Sequence, residues 1–298
     1  MIASYYRFKN LHSTNKNKKS NYGILYVVAT PIGNINDMTY RAIEVLSNSH
    51  IIATENTRHS KKLLNFYGIK TRLISYHKYN ESERCDFLIN LLLEGKNISI
   101  ISDAGTPTIS DPGDIIVSKA HSKNIRVCPI PGVSSIIAAI SASGFASDDF
   151  KFIGFLPKKN IQKIGILKEN SNVSLVFFES PNRILKTLEE LCSIYNFEKK
   201  IIVAKEMTKI YEDIIYDSLF NQIQYFSKNN NEKIKGEFTI IIPKEEKQIL
   251  NISEDKIKNF LILLLENKVL YNSAIKITCK HFSIKKNVIY KKYLHLAN

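Results

Sequence analysis

From Ile24 onward, short apolar runs alternate with amphipathic stretches of helical spacing, and this alternation restricts the chain to α/β layering. Ile24 to Thr30 predicts a first strand, closed by a turn over Pro31 to Asn36. A helix is predicted from Asp37 to Asn48, then a short strand at Ile51 to Ala53. Thr57 is the expected N-cap of a helix over 58–67 that leaves at Gly68. A further helix over 81–94 opens after Asn80, with Glu83 three residues on, and closes at Gly95. Asn97 to Ser102 and Arg126 to Pro129 are further strands, four named of the roughly five expected before Ser143.

The periodicity breaks around Gly144 to Asp149, the expected hinge into a second α/β unit. Its strands are predicted at Lys151 to Phe155, Ser174 to Glu179, Lys200 to Lys205, Asp213 to Tyr216 and Glu237 to Ile242, with helices near 160–170, 181–195 and 218–228. Beyond Pro243 a charged linker leads to a helical tail, with apolar Ile257, Phe260, Leu261, Leu264 and Leu265 at spacings of three and four. Helical stretches over about 271–280 and 286–295 complete a small unit. The expected division is a basic extension (1–23), two α/β domains (24–146 and 147–243) and a helical domain (250–298).

The formal charge of +14 is unevenly placed. Residues 1–23 carry +5 and residues 250–298 carry +6, which leaves +3 for the long body between them. Basic ends on a near-neutral body fit flanking elements that grip a polyanion, the alternative being a solubilising tail. The first 23 residues lack the apolar core of a secretory signal, and the longest aliphatic run, Leu261 to Leu265, is far too short to span a bilayer. Cys85, Cys128, Cys192 and Cys279 lie far apart without a CxxC pair, so reduced thiols in a cytoplasmic protein are expected and no metal site is.

Four clusters of Gly, Pro, Asp and small residues follow predicted strands, where ligands bind in parallel α/β sheets. They are Ala29 to Asn34 with Asp37, Thr54 to His59, Ser102 to Pro107 continuing to Gly113, and Pro129 to Ser134. Each singly reads as a turn or cap; the set points to a ligand. Neither GxGxxG with a following acid nor GxxxxGK[ST] is present, which disfavours a Rossmann dinucleotide site and a P-loop.

The motifs LYVVATPIGNINDMTYRAIEVL, ATENTRHSKKLL, SDAGTPTISDPG and PIPGVSSIIAAISASG, in this order, resemble the ribosomal RNA small subunit methyltransferase I family, a branch of the tetrapyrrole (corrin/porphyrin) methylases. FIGFLPKK, FFESPNRILKTLEEL, AKEMTKIYED and KGEFTIII extend the resemblance through the second half. It implies a tetrapyrrole-methylase-like α/β fold with S-adenosylmethionine in the cleft between two domains, and transfer of its methyl to the 2′-hydroxyl of a cytidine in the decoding region of 16S rRNA. A small ribosomal subunit as substrate and a homodimer are implied with it. Carried over by residue, Pro31 and Gly33 shape the first loop, Asp103, Ala104, Gly105 and Thr106 line the cofactor, and Pro131 and Gly132 border it.

A sugar hydroxyl is a poor nucleophile, so a base is expected among Asp103, Glu55 and Glu179. Asp103 is preferred because it follows a buried strand inside the Gly-rich loop. Arg58, Arg183, Lys235, Lys285 and Lys286 are the expected RNA contacts. Glu55 with Arg58 reads equally as an ion pair at a helix start, and Glu179 with Arg183 as a capping pair. The remaining alternatives are a tetrapyrrole-biosynthesis methylase on the same fold and a non-catalytic ribosome-binding factor.

Overall fold

A computed structural model describes residues 21–145, 149–228, 234–244, 254–282, 289 and 293. Strands β1 (Leu25–Val28), β2 (Ile51–Thr54), β3 (Leu73–Ser75), β4 (Ile98–Ile101) and β5 (Val127–Ile130) form a wholly parallel sheet in the order β3-β2-β4-β1-β5. Helices α1 (Tyr40–Asn48), α2 (Thr57–Phe66), α3 (Glu81–Leu93), α4 (Asp114–Ser122) and α5 (Ser135–Ser143) connect and cover it. The period-two side-chain alternation of a strand explains the apolar runs: Leu25, Ile51 and Ile98 enter the core under α3 and α4, while Val28, Ile52 and Ile101 enter the core under α1 and α2.

The second sheet contains β6 (Phe150–Phe155), β7 (Ser174–Glu179), β8 (Lys200–Lys205), β9 (Asp213–Ser218) and β10 (Phe238–Ile242), in the order β6-β7-β10-β8-β9. Only β6 and β7 run parallel; the last strand, β10, inserts antiparallel between β7 and β8. One face packs Phe177, Val203 and Ile240 against α6 (Asn160–Glu169), α7 (Ile184–Leu191) and α8 (Leu219–Lys228). The other face is covered from the first domain: Ile136 and Ala139 of α5, with Ile32, lie against Val176, Ile202, Ala204 and Ile241. Burial of large aliphatic side chains contributes about 1.5–3 kcal/mol each, so this shared core fixes the two sheets relative to one another.

Helices α9 (Glu254–Glu266) and α10 (Tyr271–Phe282) form a separate unit around Leu261, Ala274, Ile275, Ile289 and Tyr293, with the Tyr271 hydroxyl donating to the Tyr293 carbonyl at 2.8 Å. The basic extension up to Ser20, the 286–295 stretch apart from Ile289 and Tyr293, and the candidate contacts Lys285 and Lys286 lie outside the described residues.

Two expected helix starts and one expected cap differ from the structure. The helix expected from Asp37 begins at Tyr40, because Thr39 Oγ1 accepts the Ala42 amide and 35–37 close a separate 3-10 turn. Asn56 rather than Thr57 caps α2, its Oδ1 accepting the amides of Arg58 and His59 at 3.1 Å each. Asn80 does not cap α3 through its side chain, which turns back to accept the His77 amide at 2.8 Å.

Candidate active site

The loops after β1 and β4 are stitched together behind a cavity. Thr30 and Gly105 exchange backbone hydrogen bonds of 2.8 and 3.0 Å, and Gly105 holds φ +78°, a conformation a side chain disfavours. Thr106 Oγ1 donates to the Val133 carbonyl at 3.0 Å, tying the loop after β4 to the loop after β5. These short links leave Ala104, Gly105 and Thr106 as one wall of a cavity of about 340 Å³ between the domains. Its opposite wall comes from Glu179 to Pro181, after β7, and Gly236 to Thr239, at the start of β10. Ile32, Ile136, Phe155, Phe178 and Met207 supply apolar lining. The size lies within the ~300–1,000 Å³ of small-molecule sites, and an apolar lining with a few placed polar groups is their usual chemistry.

The second domain closes on the first loop through a strained turn. Glu206 and Thr208 adopt φ +49° and +67°, and Thr208 Oγ1 accepts the Asn34 amide at 3.0 Å. Gly33 faces this turn so closely that a Cβ there would lie 2.4 Å from Lys209 Cγ. The Lys209 ammonium bridges Glu206 at 2.7 Å and Glu237 at 3.0 Å. Burial raises the Glu206 carboxyl, but the Lys209 ammonium and the Glu237 amide outweigh it and hold the group below its ordinary value.

Ala104, Gly105, Thr106 and Glu179 thus stand on the cavity wall. Pro31 and Gly33 flank the lining residue Ile32, and Gly132 lies behind it, where a Cβ would meet that of Ala29 at 3.0 Å. Pro131 lies beside Gly132 at the head of the loop that carries the lining residues Ser134 and Ser135. Asp103 sits beside the wall, its Oδ1 accepting the Asn56 amide at 3.2 Å.

Glu55 and Asp103 belong to a carboxylate trio whose third member, Asp111, lines the cavity and was absent from the expected site. Its signal was the SDPG continuation of the third cluster, which reads locally as a turn. Burial raises the Glu55 carboxyl, with Asp103 and Asp111 adding to the rise and His77 opposing it. Burial also raises Asp111; the Ser102 hydroxyl opposes this and Asp103 adds to it. Like charges held near one another in a partly dry site favour a proton on one of them.

Glu179 is differently placed, with a side chain wholly shielded from solvent. Its Oε1 accepts the Ser180 amide at 2.8 Å and faces Arg183 Nε at 3.2 Å, and its Oε2 accepts the Thr187 hydroxyl at 2.7 Å. Arg183 also donates to the Leu156 carbonyl at 2.8 Å. Lys235 is exposed beside the lining residue Gly236. Glu55 and Arg58 make no ion pair with each other among the described residues; Arg58 instead borders a second groove with Lys61 and Lys70.

The family model described as Tetrapyrrole (Corrin/Porphyrin) Methylases matches residues 24–221. A protein of Haemophilus influenzae named Ribosomal RNA small subunit methyltransferase I is 40% identical over 273 residues, covering 90% of this chain and 95% of the relative. One of the same name from Vibrio cholerae is 37% identical over 279 residues, covering 93% and 96%. Among solved structures, a diphthine synthase superposes with TM-score 0.59 at 13% identity, covering 74% of this chain and 90% of the other. A cobalt precorrin-4 methyltransferase superposes with TM-score 0.55 at 15% identity, covering 76% and 98%. The differing names of these two show that the fold alone does not select a substrate.

Proposed function

Because the chain belongs to the ribosomal RNA small subunit methyltransferase I family of the tetrapyrrole methylases, we propose that it transfers a methyl group from S-adenosylmethionine to a cytidine 2′-hydroxyl in the decoding region of 16S rRNA. The observation that carries this reading is the interdomain cavity, walled by Ala104 to Thr106 on one side and by Ser180 and Gly236 to Thr239 on the other. Backbone at Gly105 approaches the cavity without a side chain, and the apolar lining suits an adenine ring and the methylene stem of the methionine.

The cofactor supplies an electrophilic methyl on a sulfonium. The chain's task is to orient that methyl against the ribose oxygen, exclude water and accept a proton, with positioning contributing several kcal/mol, up to ~7–11. Asp111, the trio member on the cavity wall, is the proton acceptor. Burial, with Asp103 (fixed by Asn56) adding to it, keeps the acceptor's affinity for a proton above that of an ordinary carboxylate. Glu179, with both oxygens engaged, is a positioning residue that sets the Ser180 to Pro181 wall, and Arg183 holds it there. Lys235 at the cavity mouth and the Lys-bearing α9–α10 unit are proposed phosphate contacts.

The test is transfer of labelled methyl to small ribosomal subunits lacking the modification, with nuclease mapping of the product. Label on a cytidine 2′-oxygen in the decoding region is expected. No label on subunits or naked RNA, by protein that binds the cofactor, overturns the reading.

A further inference from the structure

The near-neutral body hides a charge segregation. Residues 24–249 sum to +3, yet Thr57 to Asn80 alone contribute +6, through Arg58, Lys61, Lys62, Lys70, Arg72 and Lys78, with no Asp or Glu. The rest of the body is therefore net −3. All six cations are exposed, and none takes part in an ion pair among the described residues. Local composition alone would allow a merely solvated face. The fold instead gathers three of these charges around a groove: α2 and the edge strand β3 enclose about 590 Å³ above Leu64, Ile69 and Leu73, with Arg58, Lys61 and Lys70 on its rim.

Two further features point to one kind of occupant. The groove begins where the proposed chemistry is, since the cap of α2, Asn56, is bonded to Asp103 beside the cofactor wall. Exposed rings stand at or beyond the ends of the elements that enclose it: Phe66, the last residue of α2, is 61% exposed, and Tyr79, beyond the end of β3, is 95% exposed. Unpaired cations along a groove with open aromatic faces are the chemistry of single-stranded nucleic acid binding, in which phosphates meet the cations and splayed bases meet the rings.

We infer that the α2–β3 groove is an RNA-backbone track, which holds the strand flanking the target nucleotide and leads it over Asn56 into the cavity. This rests on the rRNA-methylation reading above. It assigns binding energy to a surface on the first domain, distinct from the basic ends of the chain.

The experiment compares two triple variants that remove the same charge from the full-length protein. Arg58→Gln/Lys61→Gln/Lys70→Gln alters the track; Lys123→Gln/Lys168→Gln/Lys228→Gln alters exposed lysines elsewhere. Each is assayed for affinity to a single-stranded oligonucleotide of the decoding-region sequence across a salt series, for KM on small subunits, and for cofactor affinity. The track variant is expected to raise KM at least tenfold, and to lower the logarithmic salt slope by about 2, the value for three lost single-strand phosphate contacts. Cofactor affinity stays as in the wild type, and the control triple changes neither RNA parameter.

Equal effects of the two triples, or a track variant matching wild type, overturn the assignment while leaving the methylation reading intact. A loss of cofactor affinity in the track variant equal to its loss on RNA also overturns it. Wild-type protein that neither binds nor methylates the RNA overturns both.

Discussion

Asp103 Oδ1 accepts the backbone N–H of Asn56 at 3.2 Å, so one hydrogen bond joins the loop that walls the cavity to the start of the basic helix α2. The same Asn56 caps that helix, and the same Asp103 adds to the rise that burial gives the carboxyl groups of Glu55 and Asp111. The proposed proton acceptor and the proposed RNA track therefore meet at these two residues.

Asp103→Ala is expected to slow methyl transfer several-fold, because Asp111 loses the neighbouring charge that adds to its proton affinity. The released amide is at the surface, so stability should fall by less than about 1 kcal/mol. Labelled transfer and thermal melting on one preparation check both. A folded variant with full turnover removes Asp103 from the mechanism.

The pH profile tests Asp111. A base acts deprotonated, so turnover should fall as pH drops through the Asp111 value, and that limb should lie above the ordinary carboxylate range because burial and Asp103 raise it. Asp111→Asn should lower kcat and abolish the limb, while the cofactor KM changes little. An unchanged acid limb in a slower enzyme assigns the base elsewhere.

Gly105→Ala places a side chain at φ +78°, in a loop bridged to Thr30. The left-handed conformation costs a non-glycine residue about 1–2 kcal/mol, so chemical unfolding should show that loss. The new methyl also meets Ile32 Cγ2 at 3.4 Å, which should tighten the cavity and weaken cofactor binding. Calorimetric binding equal to wild type would place the cofactor away from this loop.

Lys163 on α6 is 3% exposed, ion-paired with Glu190 and within 3.4 Å of the Thr187 hydroxyl, which in turn donates to Glu179. Removing one partner of a buried pair costs ~3–5 kcal/mol. Lys163→Met should approach the lower end, since Glu190 retains 16% exposure. Lys163→Met/Glu190→Leu should recover most of the loss, because it leaves no lone buried charge. Urea unfolding decides, and a single variant within about 0.5 kcal/mol of wild type shows that the pair is dispensable.

Chain-local order was legible for most elements, though β3, α4 and α5 were not among those predicted. The predicted strands Ser174 to Glu179 and Lys200 to Lys205 coincide with β7 and β8, and the predicted α6 and α8 lie within two residues of the observed spans. Each is set by period-two or helical spacing of its own apolar residues. The helix starts were less legible. Thr39, Asn56 and Asn80 all have capping chemistry, and which atom each side chain meets depends on neighbours such as His77.

The sequence by itself therefore determined the alternating elements, the loops that follow the strands and the family motifs, since all of these are contiguous in the chain. Tertiary structure alone decided that β10 enters between β7 and β8, bringing Gly236 to Thr239 opposite Ala104 to Thr106. It alone set Asp111 beside Asp103 and folded Lys70 back toward Arg58 and Lys61 across one groove. These relationships depend on strand pairing and on charges brought together through space, and such non-local contacts have no periodic signature along a single chain.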